Sequence, residues 1–290
     1  MTPWPDLRKP SRLSDRTAGA WFAGIADALL NRTRWVIAGH AHRMTECEFY
    51  FRGPPHDDPF THGDPIQVHA GRWYFHKTAG NYRGGSFKGV DVTFGDGVGK
   101  GGILIRGAES ADGRLIDGPS LIVDHLLASC GHRTVERFDR ELGARFVWDP
   151  TAPMYLARDP DAAKAIVSSA RVGLSLRRAG PGSTKTDYLT RQYRFLTEPR
   201  RIAKGKPHMV MALHRAGRPA AEIREVTGVP ARSIATYIVE YEAGVVAGRF
   251  EDYFGKEIGP KDMCRLHGIA DREFGQSRTA LPARPSPYPP

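Results

Sequence analysis

"TECEFYFRG", residues 45–53, decides how the chain is read. Side chains along a strand alternate with period two, so Glu46 and Glu48 fall on one side while Cys47, Phe49 and Phe51 fall on the other. An antiparallel strand with one buried and one solvated face accounts for the alternation. It does not account for a pair of carboxylates placed just before the Gly-Pro-Pro break at 53–55, with Tyr50 beside them and "HDDPFTH" following at 56–62.

Working outward, "AGAWFAGIADALLN" ahead of this strand places Trp21, Ile25, Ala28 and Leu29 on one stripe and predicts a helix over 18–31. Beyond it, "AGRWYFHKTAG", "GVDVTFGDG" and "GGILIRGAE" are short apolar runs between glycine turns, a strand-rich block over 70–107. The glycine-rich "FGDGVGKGG" reads as a hairpin because it lacks the strand–loop–helix context of a phosphate cradle. "GPSLIVDHLLASCG" predicts a helix with a Pro-Ser start, "PDAAKAIVSSARVGLSL" a further helix, and "DYLTRQYRFLTEP" a strand. The expected fold class is α+β: a single mixed core with a curved antiparallel sheet, followed by a small all-helical domain.

That division gives an N-terminal arm at 1–17, a core domain at 18–200 and a basic linker, "RIAKGKPH", at 201–208. A helical domain at 209–272 and a Pro-rich, disordered tail at 273–290 complete it. In the helical domain, "TGVPA" separates two short amphipathic helices, with Gly228 suited to a left-handed turn and Pro230 to a first helical turn. This is the pattern of a helix-turn-helix, in which Arg232, Ser233 and Thr236 would face a DNA groove. A helical bundle used only for packing or dimerisation is the bland alternative.

Lys and Arg number 42 against 32 Asp and Glu, a formal charge of +10 over 290 residues, which points to a polyanionic partner, nucleic acid first. The three cysteines are far apart and odd in number, so no disulfide framework follows and a reducing, cytoplasmic setting is expected. No apolar run has membrane-spanning length and the first residues lack the apolar core of a signal peptide, so a soluble, intracellular protein is expected. Histidines are frequent between 40 and 76, but their spacing matches no metal motif, so neither a metal nor a cofactor is expected.

The motifs resemble, in order, those of the alkyladenine (3-methyladenine) DNA glycosylase family. "ECEFYFRG" with "DDPFTH" is similar to that family's E-x-E-x-Y-x-G and following acidic stretch ending in His. "WYFH", "VDV", "GGILIRGAE", "DGPSLIVDHL", "SSARVGLS" and "YLTRQYRFL" resemble its later strands and helices, over roughly residues 20–200. The resemblance implies an enzyme that flips a damaged nucleotide from the duplex and hydrolyses its N-glycosidic bond without metal, leaving an abasic site. Carried over by position, Glu48 matches the acid that activates water. Tyr50 and His62 match residues that contact the flipped base, and Arg106 an arginine at the phosphate or pocket side. Tyr82 lies where the inserted wedge is expected, with Arg83 beside it, and Arg171 and Arg191 are expected on the DNA-facing surface.

The chain departs from the family at both pocket walls: His76 stands where a Tyr is usual and Asp91 where a discriminating Asn is usual. An ionised carboxylate only accepts hydrogen bonds where an amide also donates. Both loops at the pocket mouth are also longer. The expected substrate is therefore a non-standard, bulky or polar modified base, with removal of such bases from phage DNA as one setting. The competing expectation is a non-catalytic reader or regulator of modified DNA.

Overall fold

The computed structural model describes residues 4–159 and 163–275. The fold class is α+β, with a curved antiparallel sheet and C-terminal helices. The chain forms two compact units, one of residues 1–57 and 61–166, the other of 58–60 and 167–290.

In the first unit, helix α1 (Ala18–Asn31) leads into strands β1 (Thr33–Ile37), β2 (His40–Gly53) and the short β3 (His56–Asp57). Strand β4 (Ala70–Phe75) is followed by the small hairpin β5 (Lys77–Thr78) and β6 (Asn81–Tyr82), then β7 (Val90–Phe94), β8 (Lys100–Ser110) and β9 (Leu115–Asp117). Helices α2 (Pro119–Ser129) and α3 (Val135–Leu142) and strand β10 (Met154–Arg158) complete it. The sheet runs β10-β1-β2-β8-β7-β4 with every neighbour antiparallel.

The aromatic side of β2 is the core. Phe49 and Phe51 are fully buried. Phe22 of α1 stacks on Phe49 at 5.1 Å, while Trp21 meets Phe51 edge-on at 5.3 Å. Phe94 closes the cluster from β7. Burying side chains of this size contributes roughly 1.5–3 kcal/mol each. That holds α1 on one face of the sheet and turns Glu48 to the other.

Strands β2 and β8 are out of simple register at two points, between Met44 and Glu46 and between Glu46 and Cys47. On β2 the extra residue is Thr45, and on β8 it is Arg106. A bulge re-aims the side chain it carries, which matters for Arg106 below.

In the second unit, β11 (Val167–Ser169) pairs with β12 (Arg194–Leu196), with α4 (Lys185–Leu189) between them. Helices α5 (Lys206–Arg215), α6 (Ala220–Thr227), α7 (Ala231–Val246) and α8 (Pro260–Phe274) follow. Gly228 adopts φ +69° between α6 and α7, as the helix-turn-helix reading requires.

Three expectations are corrected. The boundary between compact units falls at 166/167 rather than 200, because Leu176 and Leu189 pack with Phe250, Leu266 and Ile269. The segment 201–208 is no linker. Ile202 is fully buried, and Lys206 Nζ donates to the carbonyls of Pro199, Arg200 and Thr227. The helix expected from "PDAAKAIVSSARVGLSL" is absent from the described residues, which give β11 instead, and "DYLTRQYRFLTEP" divides into α4 and β12. The Pro-rich tail from 276 onward lies outside the described residues, as do 1–3 of the arm. The rest of the arm docks: Trp4 Nε1 donates to Thr33 Oγ1, and Leu7 is buried.

Candidate active site

Glu48 on β2 pairs with Leu104 on β8, which pairs with Asp91 on β7, which pairs with Tyr74 on β4. Directly opposed residues in antiparallel strands project to the same face. One row across four strands therefore carries Glu48, Leu104, Asp91 and Tyr74, all buried. His76, two residues past Tyr74, extends the same side, its N–H bonded to Gly89 O at 3.0 Å.

At one end of the row, Glu48 is wholly enclosed. Its Oε2 accepts from Tyr50 Oη at 2.7 Å. Its Oε1 lies 3.3 Å from Arg106 Nε, which also donates to Glu46 Oε1 at 2.8 Å. Arg106, aimed by its bulge, thus stands between two carboxylates. Burial alone would lower its pKa, but Glu48 and Glu46 outweigh that and raise it above the ordinary arginine value. Of the two positions expected for Arg106, at the phosphate or at the pocket side, the structure places it buried beside the Glu46 and Glu48 carboxylates and not on an exposed DNA-facing surface.

At the other end, His76 Nε2 lies 2.7 Å from Asp91 Oδ1. With Asp91 ionised, the carboxylate only accepts, so Nε2–H is the donor. Gln67 Nε2 reaches Asp91 Oδ2 at 3.4 Å. A Cβ on Gly102 would come within 2.4 Å of Asp91 Oδ2 and 2.6 Å of Gln67 Nε2, so a glycine is needed for this approach. His62 packs edge-on against His76 at 4.2 Å and against Tyr74 at 6.0 Å. Desolvation, then His76, lowers the His62 pKa to about 4, and burial pushes Tyr74 up to about 12. Among the described residues, no His, Cys, Asp or Glu cluster is arranged to hold a metal ion.

The structure therefore brings Glu48, Tyr50, Arg106, His62, His76 and Asp91 together on and beside one face. It adds three residues the sequence reading missed. Tyr74 was recoverable as the strand partner of His76 by period two. Gln67 lies in a turn opened by a capping box from Asp64, a legible signature whose aim at Asp91 is tertiary. Phe87, in a Gly-Ser-rich loop, is the third.

Tyr82 does not project as a wedge. Its hydroxyl donates to Asp139 and Lys77 lies over its ring at 4.6 Å. Phe87, in the short 3-10 turn Gly85–Phe87, is 74% exposed and borders a cleft of about 400 Å³ shared with Tyr82 and Arg83. Ser120 Oγ donates to Gly85 O and Lys88 pairs with Asp124, bracing that turn on α2. Arg83 is partly exposed and donates to Thr78 Oγ1.

Arg171 and Arg191 are not on a DNA-facing surface. Arg171 has no exposed surface and pairs with Asp58 at 2.5 Å. Arg191 is buried, donating to Asp187 O and Tyr193 Oη and stacking on Tyr188 at 4.0 Å. Arg232 is exposed at the start of α7, with Ser233 and Thr236 partly exposed behind it.

A scan against known protein families finds no match to the chain. The chain is 35% identical over 122 residues, 37% of its length, to an uncharacterized protein of Acanthamoeba polyphaga mimivirus. The match spans 56% of that relative. No helix among the described residues is long and apolar enough to cross a membrane.

Proposed function

We propose that the first unit is a monofunctional DNA glycosylase acting on a modified base flipped from the duplex. The observation that carries this reading is the cross-strand row. A carboxylate oriented by Tyr50 and Arg106 stands at one end, and an aromatic and polar wall of Tyr74, His76, His62 and Asp91 at the other.

The chemistry follows from the bond to be broken. Cleaving an N-glycosidic bond develops positive charge on the sugar, which a nearby carboxylate stabilises. Glu48 accepts a proton from the water that attacks C1′, and the base departs. Arg106 and Tyr50 fix the Glu48 rotamer. Reaching the bond requires extrusion of the nucleotide at a cost of a few kcal/mol. Phe87, rather than Tyr82, is the residue exposed to fill the vacated stack. Arg232, Ser233 and Thr236 on α7 supply a second DNA contact through the helix-turn-helix.

The enclosure of Glu48 favours one other reading, a reader of modified DNA in which the carboxylate is structural. Duplexes carrying alkylated, deaminated or hydroxymethylated bases separate the two. Alkali-labile sites made by wild type and not by Glu48→Gln support the enzyme. Selective binding by both proteins with no alkali-labile site supports the reader.

A further inference from the structure

Across the helices α5–α8, residues 206–274, Lys and Arg number ten and Asp and Glu number ten. The chain's formal charge of +10 therefore lies outside them. A DNA-binding module with no net positive charge gains little from the phosphate attraction that drives sequence-independent binding. Its affinity then has to come from contacts to base edges in a groove.

Helix α7 turns one face into its own bundle, where Ile234 and Tyr241 are buried. The opposite face, at i, i+3, i+4 and i+7, carries Arg232, Ala235, Thr236 and Val239. Arg232 and Ala235 are exposed, and Val239 is 67% exposed. Thr236 Oγ1 donates to Arg232 O at 3.0 Å. Its hydroxyl is thus occupied within the helix, and its methyl is the group left for a partner. The face consists of one cation followed by three small apolar surfaces. Glu242, a turn further on, is exposed and would meet phosphate as a like charge, so the run ends at Val239 and leaves Val246 outside it.

Two occupants compete for such a face. A second copy of the chain needs roughly 800 Å² from each partner and large aromatic or Arg anchors at the centre of the contact. An alanine, a threonine methyl and a valine supply neither. The C5-methyl of thymine is a single apolar group in the major groove, and side chains of this small, apolar kind contact it directly. From 232 to 239 the helix rises about 10 Å, which spans about three base-pair steps.

We infer that α7 reads thymine methyls over about three base pairs of the major groove through Ala235, Thr236 and Val239. The helix-turn-helix then selects a sequence rather than adding general affinity for DNA. This rests on the DNA contact by α7 proposed above and is independent of base excision.

The test is equilibrium binding by full-length protein carrying Glu48→Gln, so that no base is released during the measurement. Duplexes are first selected from a randomised, unmodified pool. The selected duplex is then compared with copies in which single thymines are replaced by deoxyuridine, which deletes only the methyl. The expected result is a short enriched motif containing thymine, with a loss of about 4-fold per contacted methyl, the equivalent of one buried CH₂. Val239→Ser, at an exposed position, should abolish that sensitivity at one thymine and leave binding to a scrambled duplex unchanged. Arg232→Ala should weaken selected and scrambled duplexes alike. No enriched motif, a motif indifferent to the methyl, or a dimer in sedimentation that Val239→Ser dissolves would overturn the inference. If Arg232→Ala leaves every duplex unaffected, the DNA contact by α7 falls and the inference with it, while base release by the first unit is judged by its own assay.

Discussion

Glu48 of β2 and Asp91 of β7 face the same side of the sheet, each paired with Leu104 in the strand between them. Two strand spacings put their Cα atoms about 10 Å apart. Each carboxylate has its own cation or donor: Arg106 and Tyr50 at one, His76 and Gln67 at the other. The two acids are thereby given separate surroundings on one rigid scaffold.

Arg106 stands between two buried carboxylates, so Arg106→Ala removes the guanidinium that both Glu46 and Glu48 face. The expected loss is about 3–5 kcal/mol, read by urea unfolding. Glu48→Gln instead leaves a charge-matched Glu46–Arg106 pair and should unfold no more easily than wild type.

Gly102→Ala should shift Asp91 or Gln67, because its Cβ meets both side chains below 3.0 Å. Overpacking of this kind costs about 1–3 kcal/mol. The thermal midpoint should fall, and nuclear magnetic resonance of the His76 ring should report the altered contact.

Stability should fall in mild acid. His62 is lowered to about 4, and His42, His125 and His267 are also lowered, burial being the first cause in each. A histidine with a depressed folded pKa contributes stability that is present above its unfolded value, about 6.5. That stability is lost as pH falls toward the folded value. The thermal midpoint should decline between about pH 6.5 and 4 and flatten near neutrality.

Phe87→Ala removes a side chain that is 74% exposed, so stability should move by no more than about 0.5 kcal/mol. Under the proposed function, fluorescence of 2-aminopurine beside the modified base should show less extrusion, with little change in binding to unmodified duplex.

Under the proposed function, Arg232→Ala should weaken DNA binding and reduce the salt slope by about 1. Arg171→Ala should act differently, because breaking its enclosed pair with Asp58 costs about 3–5 kcal/mol of stability. Unfolding and fluorescence anisotropy on both variants separate a surface cation from a buried one.

The legible parts were those whose signals are local. The apolar stripe of α1, the alternation through β2, the glycine punctuation around β7 and β8 and the Gly228 turn each fix an element from neighbours a few residues away. Illegible features depend on distant partners. Arg171 reads as surface charge until Asp58, 113 residues earlier, is placed beside it. Tyr82 reads as an exposed loop aromatic until Asp139, 57 residues later, takes its hydroxyl. Helical composition in "PDAAKAIVSSA" masked a strand because pairing with β12 outweighs intrinsic propensity there.

The central claim is that Glu48 performs hydrolysis on a flipped base. Its most direct test is mass-spectrometric detection of free base and of oxygen-18 from labelled water at the resulting abasic sugar, for wild type and Glu48→Gln. Wild type is expected to release one modified base and incorporate the label, while the variant binds the same duplex and does neither. Release of base by Glu48→Gln at the wild-type rate would contradict it.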